Sequence, residues 1–394
     1  MNSSELRYSL ALAGIFGLRM LGLFLLLPIF TIHARGLPGG ENAFWVGLTL
    51  GIFNIVQACF HIPLGRLSDR IGRKPVVLWG LSLFVAGALI AASQDDLLWI
   101  AIGRGVMGAG AVSAAISAWV ADLTREQVRT GAMAIVGGSI SLSFALSLVL
   151  AAPIYRLISL DGMFIVLAGL GVIAIMVTYF VLPATKAVVQ VQQISLKEVF
   201  FRPELMRLNL GVFVLNATQV AMFLVLPGLL IKMGLPLASH WQVYLPVVLL
   251  SFLLMAPLLI IGEKKHCLRV VLLIAIVLLL IAEFLFTKAD SLYGIALALV
   301  VYFVGFNLSE ALQPSLVSRF AKEAKGTALG VYNTTQSIGL FTGAVMGGWL
   351  IDTLGELSVF TMSALLLLGW LIIAWSMREL PAKSLDSKDI VAKA

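Results

Sequence analysis

Residues 65–75 read GRLSDRIGRKP, with four basic side chains and one acid in eleven positions. The chain around them is 60% hydrophobic and only 12% charged, with a mean hydropathy of +1.03. Long apolar runs border the stretch on both sides. A knot of charge in that setting is a short loop that stays in water while the segments it joins leave it.

Soluble globular proteins average about 25% charged residues, so a chain this poor in charge belongs in a bilayer. At about 20 residues per spanning helix, the apolar runs place spans at 10–32, 42–64, 75–93, 97–119, 131–153 and 162–182. Six more follow at 208–231, 242–262, 268–287, 291–314, 327–350 and 357–377. The runs are continuous rather than alternating in twos, which excludes barrel strands. The first run is too long for a signal-peptide core and carries Arg19, so it reads as a retained span. Cys59 and Cys267 fall in or beside different spans and support neither a disulfide framework nor a thiol-rich metal site.

The net charge of +7 is unevenly distributed. With a cytoplasmic N-terminus, only Arg35, Arg156, Lys232 and Lys288 lie outside, Arg19 and Arg104 lie within spans, and the other 21 of the 27 Lys and Arg are cytoplasmic. This bias predicts both termini in the cytoplasm. The basic excess then faces anionic lipid and not nucleic acid.

The chain echoes itself at half its length. Phe24-Leu25-Leu26-Leu27-Pro28 returns as Phe223-Leu224-Val225-Leu226-Pro227, and Gly36-Leu37-Pro38 as Gly234-Leu235-Pro236. Trp45, Glu126 and Ala132 return as Trp241, Glu323 and Ala328, in the same order. The pattern predicts an all-α membrane protein of twelve transmembrane helices in two parallel, pseudo-repeated six-helix halves, an architecture of transporters. The expected organisation is a first half over 1–182, a linker over 183–207, a second half over 208–377 and a short cytoplasmic tail over 378–394. Within the linker, ISLKEVFFRPELMRL fits an amphipathic helix on the inner membrane surface; a plain linker is the alternative.

Placed between spans two and three, the opening stretch resembles the loop signature of the major facilitator superfamily, Gly-x-Leu-x-Asp-Arg-x-Gly-Arg-Lys. Gly65, Leu67, Asp69, Arg70, Gly72, Arg73 and Lys74 match it completely. Two glycines permit a tight turn and close helix approach, an aspartate suits the positive end of a helix, and the basic residues suit lipid phosphates or a carboxylate such as Asp122. The resemblance implies that this loop latches the cytoplasmic side shut during transport. The second half has Gly262-Glu263-Lys264-Lys265-His266 at the equivalent turn, without the Asp or the second Gly, so a one-sided latch is expected.

Arg104, followed by Gly108 and Gly110, is similar to the fourth-span arginine that proton-coupled exporters of the superfamily associate with coupling. The same stretch reads Gly103-x-Gly105-x-x-Gly108, but no strand precedes it, so it is no dinucleotide fingerprint. Its glycines suit close helix packing. The drug–proton antiporter signature at the end of span five is not matched: the chain has Ala151-Ala152-Pro153 there. LRMLG at 18–22, SDRIGRKP, ADLTREQ at 121–127 and His240-Trp241 with Val243-Tyr244-Leu245 resemble the YajR-type drug/proton exporters of Gram-negative inner membranes. Those relatives often carry a further soluble C-terminal domain, for which the residues after Met377 are too few.

Four charged side chains fall well inside spans: Arg19, Arg104, Glu283 and Glu310. Each would cost roughly 2.5–3.5 kcal/mol at mid-membrane on insertion scales, so they are expected to face a cavity or one another across the halves. Glu283 and Arg104 are near enough to the outer end that snorkelling is the alternative. A proton-coupled carrier needs a group that gains and loses a proton; Arg104 only biases such a partner, and Glu310 is the first candidate, with His61 and Glu283 behind it. Asn54 and Gln57, Asn216 and Gln219, Tyr244, Tyr302 and Asn307, and Tyr332, Asn333 and Gln336 are the polar candidates for lining a central cavity. Gly339, Gly343 and Gly347 form a small-residue stripe for helix contact.

No metal spacing, nucleophile–base pair or nucleotide loop is present, so neither an enzyme nor a cofactor is expected. The reading is a monomeric secondary transporter of the bacterial inner membrane, exporting small amphipathic compounds against proton entry. The alternatives are a proton symporter importing a polar metabolite and a transport-inactive sensor or scaffold with the same fold.

Overall fold

The computed structural model describes residues 1–93, 95–184, 201–265, 267–321 and 325–377. Most of the expected linker helix and the tail lie outside these residues. Eleven described segments are long and apolar enough to cross a membrane. One of them, within Glu126–Phe180, has 55 residues, which as a straight helix would run about 80 Å. A bilayer core is only about 30 Å thick. Ser159 breaks the run with φ 54° and ψ −172°, so it is two antiparallel helices and the count is twelve.

We number them α1 (Ser3–Ala34), α2 (Ala43–Ile71), α3 (Arg73–Ala92), α4 (Leu97–Leu123), α5 (126–158), α6 (160–180) and α7 (Pro203–Lys232). The rest are α8 (Trp241–Lys264), α9 (Leu268–Lys288), α10 (Leu292–Phe320), α11 (Lys325–Leu354) and α12 (Leu357–Trp375). The end of the bundle that carries 65–75 is called the basic end below. The expected linker ran to residue 207, but α7 already begins at Pro203, a residue suited to the first helical turn.

Two expected spans are broken. α1 stops at Phe24 and resumes at Leu27, because Pro28 has no N–H to donate to Phe24 and its ring crowds that carbonyl. The second copy of this motif keeps Pro227 inside a continuous α7, so the proline permits the break and packing decides it. α4 is interrupted over 110–112, where Gly110 lies against the backbone of Gly80 on α3. The expected packing role of the α4 glycines holds for Gly103, which meets Gly87 and Ala91, and for Gly108, which meets the backbone of Phe53. Gly339, Gly343 and Gly347 of α11 pack against α7, at Phe213, Ala217 and Ala221.

α11 turns its other side to α2. Across the halves Gly47 and Gly348 approach backbone of the facing helix so closely that a Cβ would collide with it. An aromatic cluster adds to this contact: Phe144 on α5 lies 5.6 Å from Phe303 and 5.8 Å from Phe306 on α10, and 5.0 Å from Phe24 on α1.

Candidate functional site

The 65–75 loop is built around one buried guanidinium. α2 ends at Ile71, Gly72 takes φ +95°, and α3 starts at Arg73, so a single left-handed glycine makes the whole turn. Arg73 Nε donates to Asp122 at 3.0 Å, its Nη1 donates to Ser68 at 2.7 Å, and it forms an ion pair with Asp69. The ends of α2, α3 and α4 are thereby tied together. Lys74 donates to the carbonyls of Tyr179 and Leu182 at 2.8 and 2.9 Å, closing the C-terminus of α6. Arg70 is exposed. Gly65 differs from its expected role: a Cβ there would meet only Ala114 at an ordinary 3.6 Å.

Beside this loop a cavity of about 220 Å³ separates the basic ends of α2 and α11. His61, Gly65, Arg66 and Asp69 line one wall, Thr327, Gly330 and Asn333 the other. At its deep end the His61 Nε2 and the Ser337 Oγ are 3.5 Å apart, joining the two helices.

The four intramembrane charges do not pair with one another here. Arg19 donates to Ser113 at 2.7 Å and lies 6.0 Å from the Phe53 ring. Arg104, 1% exposed, donates from Nε to the Thr49 carbonyl at 2.9 Å and from Nη2 to that of Leu50 at 2.8 Å. Its guanidinium also sits 5.9 and 5.7 Å from the rings of Phe30 and Phe53. Snorkelling of Arg104 is therefore ruled out; its charge is solvated by backbone dipoles and π faces. Glu283, 0% exposed, does not snorkel either. Phe286, one turn along α9, lies 6.3 Å from the ring of Tyr302 on α10, which places Glu283 inside the second half.

Glu310 belongs to a polar triad. Its Oε1 accepts from Asn216 at 3.2 Å and from Gln336 at 3.4 Å, and Gln336 also donates to Asn216 at 3.3 Å. These side chains come from α10, α7 and α11, so one carboxyl reads the position of three helices. Asn307 donates to Ser251 at 3.1 Å, joining α10 to α8. Asn54, Gln57 and Gln219 are buried, as are Tyr244, Tyr302 and Tyr332, whose hydroxyls bond to no described protein group. Of the expected cavity residues Asn333 borders the basic-end cavity, as does His61, a candidate for proton coupling; Arg19, Asn54, Gln57, Asn216, Gln219 and the three tyrosines are buried.

Several contacts have no counterpart in the sequence reading. Arg125 bonds Glu5 at 2.8 Å, joining the α4–α5 turn to the start of α1, and that carboxylate raises the Arg125 pKa. At the opposite end Asp352 of α11 accepts from the N–H groups of Ala43 and Phe44 at 2.9 and 2.8 Å. Glu356 there pairs with Lys232 at 2.6 Å and Arg35 at 4.0 Å. An acid at the end of a span reads as an interfacial charge, and nothing in its neighbours names the partner.

Residues 10–344 match the sequence pattern of the Major Facilitator Superfamily. The chain belongs to that family. Over 388 residues it is 38% identical to the inner membrane transport protein YajR of Escherichia coli, covering 97% of this chain and 85% of that one. Multidrug resistance protein MdtH of Yersinia pestis is 25% identical over 345 residues, 85% of this chain and 84% of its own. The crystal structure of the human organic anion transporter MFSD10 (TETRAN) superposes with a TM-score of 0.69, at 18% identity, over 95% of this chain and 100% of that one. The fold is that of the superfamily, and the protein is a multi-pass membrane transporter. This family carries solutes and is not a family of enzymes.

Proposed function

We propose that the protein is a proton-coupled exporter of small amphipathic compounds in the bacterial inner membrane, working by alternating access with its basic end and both termini in the cytoplasm. The observation that carries the reading is the Glu310 triad. A half-buried carboxyl held by two amides changes its bonding when it changes protonation: ionised it only accepts, protonated it also donates. Asn216 and Gln336 sit on α7 and α11, so a proton gained or lost at Glu310 bears directly on the packing of those helices.

The asymmetry of the two ends supports the alternation. α2 and α11 are parted by a cavity at the basic end and touch backbone to backbone at the other. Phe144 packs on Phe303 and Phe306 across the halves, and Phe306 is about one turn from Glu310 on α10. Ile62, Ala114 and Val331 beside the polar groups of the cavity suit a substrate that is part apolar and part polar. In this cycle the 65–75 loop is the cytoplasmic latch, with Arg73 and Asp122 as its fixed frame and Asp69 as its exposed arm. Arg104 holds α4 on α2. Anionic lipid headgroups meet the basic loops. The relative named for multidrug resistance supports export over import.

Flux in proteoliposomes under an imposed pH gradient tests this. Efflux of an amphipathic compound driven by inward proton flow is expected, with a proton flux of opposite sign. Co-directional fluxes would assign a symporter, and binding without turnover a scaffold.

A further inference from the structure

α2 and α11 run antiparallel and are in close contact at the closed end. From the closed end, Ala43 meets Gly348, Gly47 meets Ala344 and Gly51 meets Phe341. Further along, His61 meets Ser337 at 3.5 Å. Nearer the basic end, Gly65 of α2 and Gly330 of α11 line the cavity instead of touching. One helix pair is thus zipped at one end and parted at the other, and whatever holds the zipped end is in a position to set the balance.

The Asp352 carboxylate sits at that end. Oδ1 accepts from the Ala43 N–H at 2.9 Å and Oδ2 from the Phe44 N–H at 2.8 Å. These are free donors of the first turn of α2, where the helix dipole also favours an anion. Yet α2 has a cap of its own, since the Asn42 Oδ1 accepts from the same Phe44 N–H at 2.9 Å. If Asp352 withdraws, Phe44 keeps a partner, and the exposed Ala43 N–H turns to water. The contact is therefore redundant for building α2, while it bridges the two halves. Redundancy in the helix combined with a bridge between halves is what a releasable contact needs. Glu356, pairing with Lys232 of its own half and Arg35 of the other, reinforces the same edge.

We propose that Asp352 is the latch of the outer side: its carboxylate on the start of α2 keeps the far end of the path closed while the basic end is open. It must leave before the far end opens. The proposal rests on the alternating-access reading above. Both partners are exposed, so the latch is weak and screened by salt. A contact broken in every cycle has to be weak.

The test uses full-length protein in lipid nanodiscs with two spin-label pairs. Trp45 with Leu354 reports the far end, both side chains being exposed, and Ile71 with Thr327 reports the basic end. Asp352→Ala should raise the far-end-open fraction about threefold at low salt, and by less at high salt. Asp352→Asn, which keeps one acceptor, should fall between it and wild type. Asn42→Ala should lower the melting temperature and shift the ratio toward the closed far end, because Asp352 is then the side chain left to cap the Phe44 N–H. Two wild-type populations with an unchanged ratio in Asp352→Ala would overturn the latch and leave alternating access standing. A single wild-type population at both pairs, whatever the pH and salt, would overturn alternating access and the latch with it. Should Asp352→Ala not fold, Asp352→Asn and a salt titration of wild type carry the same comparison. The closed fraction must fall as salt rises, or the latch is overturned.

Discussion

Arg73 donates to Asp122 across 3.0 Å, and the pair joins the start of α3 to the end of α4 with little water around the guanidinium. The Arg73 side chain is 9% exposed and Asp122 23%, whereas Asp69, its other acid, is 54% exposed. The two acids therefore do different work. Asp122 satisfies a buried cation; Asp69 is free to exchange partners.

That difference separates two substitutions. Asp122→Asn should destabilise the protein by about 1–3 kcal/mol, since it removes the negative charge that a buried guanidinium is paired with. Asp69→Asn should cost less than about 1 kcal/mol, because its contact is screened by water and Arg73 keeps Asp122 and Ser68. Thermal melting in detergent checks the order. Equal losses would show that Arg73 depends on both acids alike. If Asp69 is the moving arm of the latch, Asp69→Asn should also shift the distance between the basic ends of α2 and α11.

The α2–α11 seam makes a second prediction. A Cβ at Gly47 would land on the Ala344 carbonyl, a backbone atom that cannot turn aside, so Gly47→Ala must push the far ends apart. It should raise labelling of cysteines placed on that end of the path. Gly138→Ala, where a Cβ meets nothing within 4 Å, is the matched control and should leave labelling at the wild-type level. Equal labelling of both variants would mean that the seam does not gate the far end.

The spans and the charged loop were legible because membrane insertion is a local, compositional property: twenty apolar residues spell a helix wherever they lie. The partners of the charges were not. Arg19, Arg104, Glu283 and Glu310 were expected to face a cavity or one another. Arg19 instead donates to Ser113, and Arg104 to the carbonyls of Thr49 and Leu50. A carbonyl leaves no mark in the sequence, so no residue pattern could have named α2 as the acceptor. The breaks at 25–26 and 110–112 were half legible: Pro28 and Gly110 are visible, but Pro227 in the same motif leaves α7 intact. Gly65 was expected to serve close packing, yet its neighbour in this state is a cavity. Sequence cannot say which state a two-state contact is in.

Glu283 offers a third prediction. Both its oxygens are buried without a described hydrogen-bond partner, which costs about 1–3 kcal/mol on mutational scales. Glu283→Met, similar in length and apolar, should therefore stabilise the protein by a comparable amount and raise its melting temperature. If it stabilises and transport persists, Glu283 is a tolerated burial. If it abolishes transport driven by a pH gradient, the coupling proton resides in the second half outside the triad.

Glu310 is the sharpest case. In the triad its carboxyl accepts from two amide donors, and Gln in its place can still accept through its carbonyl from Asn216 or Gln336. The triad geometry and the packing of α7, α10 and α11 should therefore survive Glu310→Gln. What the amide cannot do is bind and release a proton. Coupling requires that the carrier change its proton occupancy between the two orientations, since only a differential affinity moves an equilibrium. The variant should bind substrate with little change and exchange it across the membrane when no gradient is applied. It should fail to concentrate substrate when a pH gradient is imposed. Counterflow and gradient-driven uptake, measured on the same proteoliposomes, separate the two outcomes. Loss of both would mark Glu310 as a binding or structural residue; retention of both would move the proton site away from it, with His61 beside the cavity as the next side chain to change.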